Sequence, residues 1–358
     1  MNVPLVDLAA QHAEIADEVR AGWDAVLERT AFILGGALSD FEAEYARFSE
    51  VGRCIGVANG TDALEIALRA IGVGPGDEVV LPANTFIATA LAVARAGANP
   101  VLVDVAEDTQ LIDPERAAAA VTPRTKAIMP VHLFGQMADV DALTGLGPTI
   151  VEDAAQSQGA RRHGTQTRFG GTSFYPGKNL GAYGDAGAVV CDDDDLARTV
   201  RNLRNYCSDV KYHHPEIGFN SRLDSLQAVV LSAKLKRLAR WNEQRRAAAA
   251  RYDELLAGEE RVTLPVTAPG NEHVWHLYVI RVDDRDGVLS RLHEAGVGAG
   301  IHYPVPVHLQ GAFKHLGHGP GAFPVTEALA DSILSLPLYP QITEEQQQFV
   351  VETLRAAL

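Results

Sequence analysis

The chain has 358 residues, 31 Lys+Arg against 46 Asp+Glu, a formal net charge of −15, 47% apolar and 22% charged residues. Such acidity excludes nucleic acid as the main partner, and the apolar content excludes a disordered chain. At ~150 residues per domain the length predicts about two domains and a small-molecule enzyme as the default class.

Cys54, Cys191 and Cys207 lie far apart and form no C-x-x-C pair. Neither a disulfide framework nor a zinc site is indicated, which fits a reducing cytoplasm. The N-terminal MNVPLVD carries no basic stretch followed by an apolar one, and no uncharged apolar run reaches ~18 residues. The expectation is a cytoplasmic protein with no membrane partner.

From about residue 50 to 191, short β-branched runs alternate with helical patterns, as in a mostly parallel sheet with covering helices. Strands are predicted at 78–81, 100–104, 126–131, 149–152, 171–174 and 188–191. Between the first of them, helices are predicted at 62–71, with Leu64, Ala67, Leu68 and Ile71 on one face, and at 87–96. The acidic run 192–195 reads as a solvated turn that starts a helix at Leu196. Past Leu223 a long helix, with Leu226, Val230 and Ala233 at helical spacing, leads out of the first domain. A strand over 275–282, a helix over 287–295, a Gly/Pro/His-rich segment over 298–324 and a helix after Thr343 make a smaller α+β domain. The division is 13–240 for a large domain and 241–358, with 1–12, for a small one.

Four segments carry possible chemistry. In TSFYPGKNL (172–180), Lys178 sits in a tight turn after a short strand, with Gly181, Gly184 and Gly187 following. A desolvated amine in such a turn is suited to Schiff-base chemistry. A phosphate-binding P-loop is ruled out, because five residues separate Gly171 from Gly177 and Asn179 follows the lysine. In EDAAQ (152–156), Asp153 ends a buried strand, where open α/β sheets gather ligand-binding groups and where a carboxylate can pair with a protonated pyridine nitrogen. NGTDAL (59–64) reads as a helix start able to hold a phosphate. PANTF (82–86) places Phe86 at a strand end, suited to stacking on a flat ring. Singly, each has a plainer reading: a surface lysine, an N-cap aspartate, a capped helix, a core phenylalanine. Together they are the parts needed to hold pyridoxal 5′-phosphate.

With SFYPGKNLGAYGDAGA (173–188), GFNSRLDSLQA (218–228) and HYPVPVH (302–308) added, the chain resembles the DegT family of sugar aminotransferases from about Val3 to its end. The resemblance implies fold type I of the pyridoxal-phosphate enzymes: α/β, with a mostly parallel seven-stranded-type sheet between helices and a smaller α+β C-terminal domain. It implies that Lys178 joins the cofactor covalently and moves the proton, Asp153 holds the pyridine nitrogen protonated, Gln156 bonds the ring hydroxyl and Phe86 stacks on the ring. Gly60, Thr61 and Ser173 would hold the phosphate, joined by Asn220 from a neighbouring subunit of a homodimer. Tyr183, Lys211, Tyr212 and His308 would face the substrate. The implied reaction takes the amino group of L-glutamate, through pyridoxamine 5′-phosphate, to a nucleotide-linked keto-sugar. NYCSDVKYHH (205–214) and HYPVPVH look most like enzymes that aminate C3 of dTDP-3-keto-6-deoxyhexoses. C4 or cyclitol amination is the alternative, and a non-catalytic cofactor-binding regulator is the rival class.

Departures from the family pattern are Cys207, where glycine is common, and shortened connections before Thr149 and from Arg161 to Gly171. His302, His308, His315 and His318 cluster without a carboxylate or cysteine pattern at zinc-site spacing, so no metal is assigned. Because cofactor and substrate are both anionic, the acidic chain is expected to hold a local pocket rich in N–H groups and basic side chains.

Overall fold

The computed structural model describes residues 1–208 and 210–358, so Asp209, within the 205–214 stretch, lies outside the described residues. Two hydrogen-bonded ladders form the main sheet. One runs Arg53–Val57, Gly187–Cys191, Gly170–Ser173, Glu152–Asp153; the other runs Asn99–Val103, Glu78–Pro82, Thr125–Ile128, Thr149–Ile150. They are one layer of seven strands, because only Val151 interrupts 149–153 and Val131 bridges to Asp153 in parallel. Gly187–Cys191 alone runs opposite in direction to the other six strands.

Every residue of Glu78–Pro82 and of Gly187–Cys191 is buried, and apart from Glu78, which pairs with Arg124, these strands read as apolar runs covered on both faces. One face packs on the helices Gly60–Ala70 and Ile87–Arg95 through Ile66, Leu68 and Val93; the other packs on Leu38, Phe41, Leu231 and Leu238 from the helices Gly36–Phe48 and Ser225–Leu255. Each such side chain contributes about 1.5–3 kcal/mol when fully buried. The sheet and helices therefore make a stiff platform whose strand ends carry the site.

Arg53–Val57 was not among the expected strands, since Gly56 breaks its apolar run. A Cβ there would fall 2.9 Å from Leu38 Cδ1 and 3.0 Å from Leu223 Cβ, so packing, not propensity, fixes the glycine. The expected helix start at Leu196 moves to Asp194: the Asp193 side chain caps the helix by accepting from the Asp195 and Leu196 N–H groups.

The helix Ser225–Leu255 is 31 residues long and continuous through residue 240. Its last turns put Ala248, Ala249 and Tyr252 into a second core with Val3, Tyr278, Ile280, Leu334 and Leu336. That core lies under an antiparallel sheet of Val262–Thr263, Tyr278–Val282 and Ile333–Leu336. The closing helix Glu344–Ala357 begins with a capping box between Thr343 and Gln346.

Candidate active site

The Gly170–Ser173 strand ends in a tight turn closed by Lys178 N–H donating to the Tyr175 carbonyl at 2.8 Å and Ala182 N–H donating to the Phe174 carbonyl at 2.7 Å. Gly181 is required here, since a Cβ would fall 2.3 Å from the Pro176 carbonyl oxygen. Lys178 thereby reaches the wall of a cavity of about 520 Å³. Burial pulls its pKa from 10.5 down to about 8, and the Asp153 charge pulls the other way.

Asp153 is 4% exposed. Its Oδ2 accepts from Thr89 Oγ1 at 2.8 Å and its Oδ1 from the Ala155 N–H at 3.1 Å. Burial still raises its pKa, against those two bonds and the charges of Lys178 and His132, so this carboxylate lacks sufficient positive charge nearby. Side chains alternate along a strand, and the neighbouring Glu152 lines a separate cavity of about 520 Å³ bordered by the connections 140–150 and 161–169.

Asn59 caps the Gly60–Ala70 helix by accepting from the Asp62 N–H at 2.8 Å, which leaves the first N–H groups of the helix turned outward. A Cβ on Gly60 would lie 2.5 Å from Ser173 Cβ, so glycine lets the helix start close against the strand end. Gly60, Thr61 and Ser173 share the cavity wall with Lys178 and Asp153. Phe86 is 50% exposed, with its ring 5.1 Å from that of Tyr303, and is a cavity face instead of a core residue. Gln156 is buried, accepts from the Phe134 N–H at 2.6 Å and donates to the Tyr303 hydroxyl at 3.1 Å.

The remaining expected residues are not on this wall. Asn220 is exposed and bridged to Asn205. Lys211 and Tyr212 are exposed, with Lys211 Nζ 5.1 Å from the Tyr212 ring. Tyr183 bonds His12 Nδ1 through its hydroxyl at 2.6 Å. His308 is 1% exposed, is held by Glu327 Oε1 at 3.0 Å and packs against the Phe323 ring, and it is not among the residues that line the cavity. Nor is the pocket lined with several basic side chains: among the described residues Lys178 is the one lysine or arginine on its wall. Arg161 and Arg162 are taken up elsewhere by Glu50 and Asp139.

Sequence reasoning assigned no role to His276 or Tyr303, and placed His302 only in a histidine cluster; all three line the cavity. The signal for His276 was a histidine inside an otherwise apolar strand-like run. His302 bonds Ser335 Oγ through Nδ1 at 2.8 Å, and burial followed by the Lys178 charge lowers its pKa to about 4.

An amine, a charge-starved carboxylate, an exposed aromatic face and an open helix start with no room for a Cβ fit pyridoxal phosphate: a ring aldehyde, a pyridine nitrogen, a flat ring and a phosphate. Comparisons with known proteins agree. The DegT/DnrJ/EryC1/StrS aminotransferase family model matches residues 13–355. A "Pleiotropic regulatory protein" of Geobacillus stearothermophilus is 47% identical over 99% of this chain and 98% of its own. The dTDP-3-amino-3,4,6-trideoxy-alpha-D-glucose transaminase of Streptomyces venezuelae is 46% identical over 99% and 95%. The crystal structure of S. venezuelae DesV in complex with a ketimine intermediate superposes with a TM-score of 0.97 at 46% identity, covering 99% of this chain and 98% of that one. The chain belongs to the DegT/DnrJ/EryC1/StrS family and is a pyridoxal-phosphate-dependent aminotransferase of fold type I.

Proposed function

We propose that the chain transfers the amino group of L-glutamate to C3 of a nucleotide-linked keto-sugar, a dTDP-3-keto-6-deoxyhexose, on the way to a deoxyamino sugar. The observation that carries this is the likeness, over nearly the whole of both chains, to a transaminase named for a dTDP-3-amino sugar. We place the enzyme in the cytoplasm; no helix among the described residues is long and apolar enough to cross a membrane. The division into 13–240 and 241–358 with 1–12 belongs to the same reading.

When bound, pyridoxal phosphate supplies an electron sink for the carbon that loses its proton. In this reading Asp153, short of positive charge, keeps a proton on the ring nitrogen, and Thr89 with Ala155 N–H fixes its orientation. Gly60, Thr61 and Ser173 hold the phosphate by N–H and hydroxyl groups, Phe86 covers the ring, and Gln156 faces the ring hydroxyl. Lys178 holds the cofactor and, once released, moves the proton; a pKa near 8 keeps a working fraction of neutral amine at neutral pH.

We also propose a homodimer in which Asn220, Lys211 and Tyr212 of one subunit reach the cavity of the other. Two observations support it. Among the described residues the wall of a single chain offers Lys178 as its one lysine or arginine, too little for an anionic cofactor plus a diphosphate. Tyr212 and Ile217 stand 81% and 95% exposed on the segment that carries Lys211.

The test is to incubate the enzyme with L-glutamate and, separately, 3-keto and 4-keto dTDP-sugars, and to identify the products by mass and NMR. A 3-amino product is expected; a 4-amino product overturns the C3 assignment, and inactivity on both favours a cyclitol or free keto-sugar. Failure of L-glutamate to bleach the yellow cofactor absorbance overturns the donor.

A further inference from the structure

The threonine that orients Asp153 is itself held by a second threonine. Thr89 Oγ1 donates to Asp153 Oδ2 at 2.8 Å, and the Thr85 and Thr89 hydroxyl oxygens lie 2.7 Å apart. All three side chains are buried. Thr85 and Asp153 line the cavity, whereas Thr89 is not among its lining residues. The chain brings the two hydroxyls together at the start of the helix Ile87–Arg95. Phe86 caps that helix in an extended conformation, and the Thr89 N–H donates to the Phe86 carbonyl at 3.2 Å. The segment that presents the Phe86 ring to the cavity thus also carries both hydroxyls.

Counting hydrogens fixes the direction of this chain. A hydroxyl has one hydrogen to give, and an ionised carboxylate only accepts, so the single hydrogen of Thr89 is committed to Asp153. The hydrogen between the two threonines must then come from Thr85. Donation into Thr89 polarises its own O–H and strengthens the bond to the carboxylate by about 10–30%. Burial raises the pKa of Asp153, and the Thr89 bond is first among the effects that oppose it, ahead of the Ala155 N–H and the charges of Lys178 and His132. Tyr303 faces the same carboxylate: burial, then the Asp153 charge, raises its pKa.

We propose that Thr85 is a positioning residue for Asp153, acting through Thr89: the two threonines form a hydroxyl relay of fixed polarity that aims the carboxylate at the ring nitrogen and favours its ionised form. No proton leaves the relay, and each hydrogen stays on its own threonine. The two hydroxyls act in series, so Thr85 matters only while Thr89 is present. The inference rests on the placement of the ring nitrogen at Asp153 and not on the identity of donor or sugar.

The test uses the cofactor-free full chain. The pH midpoint of the Asp153 carboxyl is followed by carbon-13 NMR of aspartate-labelled protein, its resonance assigned by its loss in Asp153→Asn. Binding of pyridoxamine 5′-phosphate, which forms no covalent link to Lys178, is measured by equilibrium titration. Thr89→Val is expected to raise the midpoint by about half to one pH unit and to weaken binding about tenfold. Thr85→Val is expected to raise the midpoint by about 0.3 unit and to weaken binding about threefold. The double variant should bind within about twofold of Thr89→Val, whereas independent effects would multiply to about thirtyfold. Thr85→Ser and Thr89→Ser keep the hydroxyls and should bind within about twofold of wild type. An unmoved midpoint in Thr89→Val overturns the proposal, as does a multiplied loss in the double variant or a serine variant as weak as its valine counterpart. A midpoint lowered by Thr85→Val also overturns it, because Thr85 would then compete with Asp153 for the Thr89 hydrogen. Circular dichroism establishes that each variant is folded; should Thr89→Val fail to fold, Thr89→Ala removes the same hydroxyl. The midpoint needs neither cofactor nor substrate, so raised midpoints with unchanged binding in every variant support the relay and overturn instead the placement of the ring nitrogen at Asp153.

Discussion

Lys178 and Lys234 make an instructive pair, because burial brings each of them down from 10.5 to about 8. Lys178 sits in a glycine-wrapped turn, opens onto a cavity and faces Asp153. Lys234 sits in the middle of the helix Ser225–Leu255, 1% exposed, with its Nζ 4.9 Å from the centre of the Tyr183 ring and no carboxylate partner among the described residues. A depressed pKa is thus shared by a reactive group and a packed one. Access and partner groups separate them.

The largest effect expected is from removing the reactive amine. Lys178→Ala should lose turnover by about three orders of magnitude or more and lose the yellow absorbance, whereas Lys234→Ala should change kcat by less than about threefold. Steady-state kinetics and spectra on both variants check this, and an active Lys178→Ala breaks the assignment.

Next comes the subunit arrangement. Asn220→Ala and Lys178→Ala homodimers are each expected to be impaired, but hybrids formed by mixing them carry one site with both residues intact. Random reassociation at equal amounts should restore about a quarter of wild-type activity. No recovery, with hybrids demonstrated by differential tagging, sinks the shared site. A smaller loss is expected at the helix start. Gly60→Ala puts a methyl 2.5 Å from Ser173 Cβ, and strain of about 1–3 kcal/mol corresponds to roughly 5- to 150-fold weaker cofactor binding. Equilibrium titration of cofactor-free protein measures it, and unchanged affinity would mean that the helix start takes no part in holding the phosphate.

What could be read in advance follows from how local each determinant is. Lys178, Asp153 and Gly60 sit at strand ends and helix starts, where glycine and capping residues mark the backbone within a few positions. The strand Ile333–Leu336 carried no such mark: it follows the helix Pro324–Ser332 without an intervening glycine or proline and is fixed only by pairing with Tyr278–Val282. His276 and Tyr303 are functional candidates only because the C-terminal part folds back over the lysine turn, a contact that no local pattern encodes. His308 shows the converse, since a motif gave it a face toward the sugar and tertiary packing gave it Glu327 instead.

Lys234 supplies the smallest effect on activity and the clearest test of the comparison, through stability. Its folded pKa of about 8 lies below the unfolded value of 10.5, so between those limits the unfolded chain binds a proton that the folded chain does not. Stability contributed by this group therefore rises with pH from about 8 to about 10.5, and below 8 the full cost of holding the ammonium inside is present. The aromatic face of Tyr183 offsets part of that cost. Lys234→Met keeps the length of the side chain, removes the charge and can still pack on the ring. It should raise unfolding free energy at pH 7 by on the order of 1–3 kcal/mol, and the gain should shrink toward zero by about pH 10.5. Urea unfolding of wild type and variant at both pH values measures the difference. A gain that does not depend on pH assigns the effect to packing alone and removes Lys234 as the charged counterpart of Lys178.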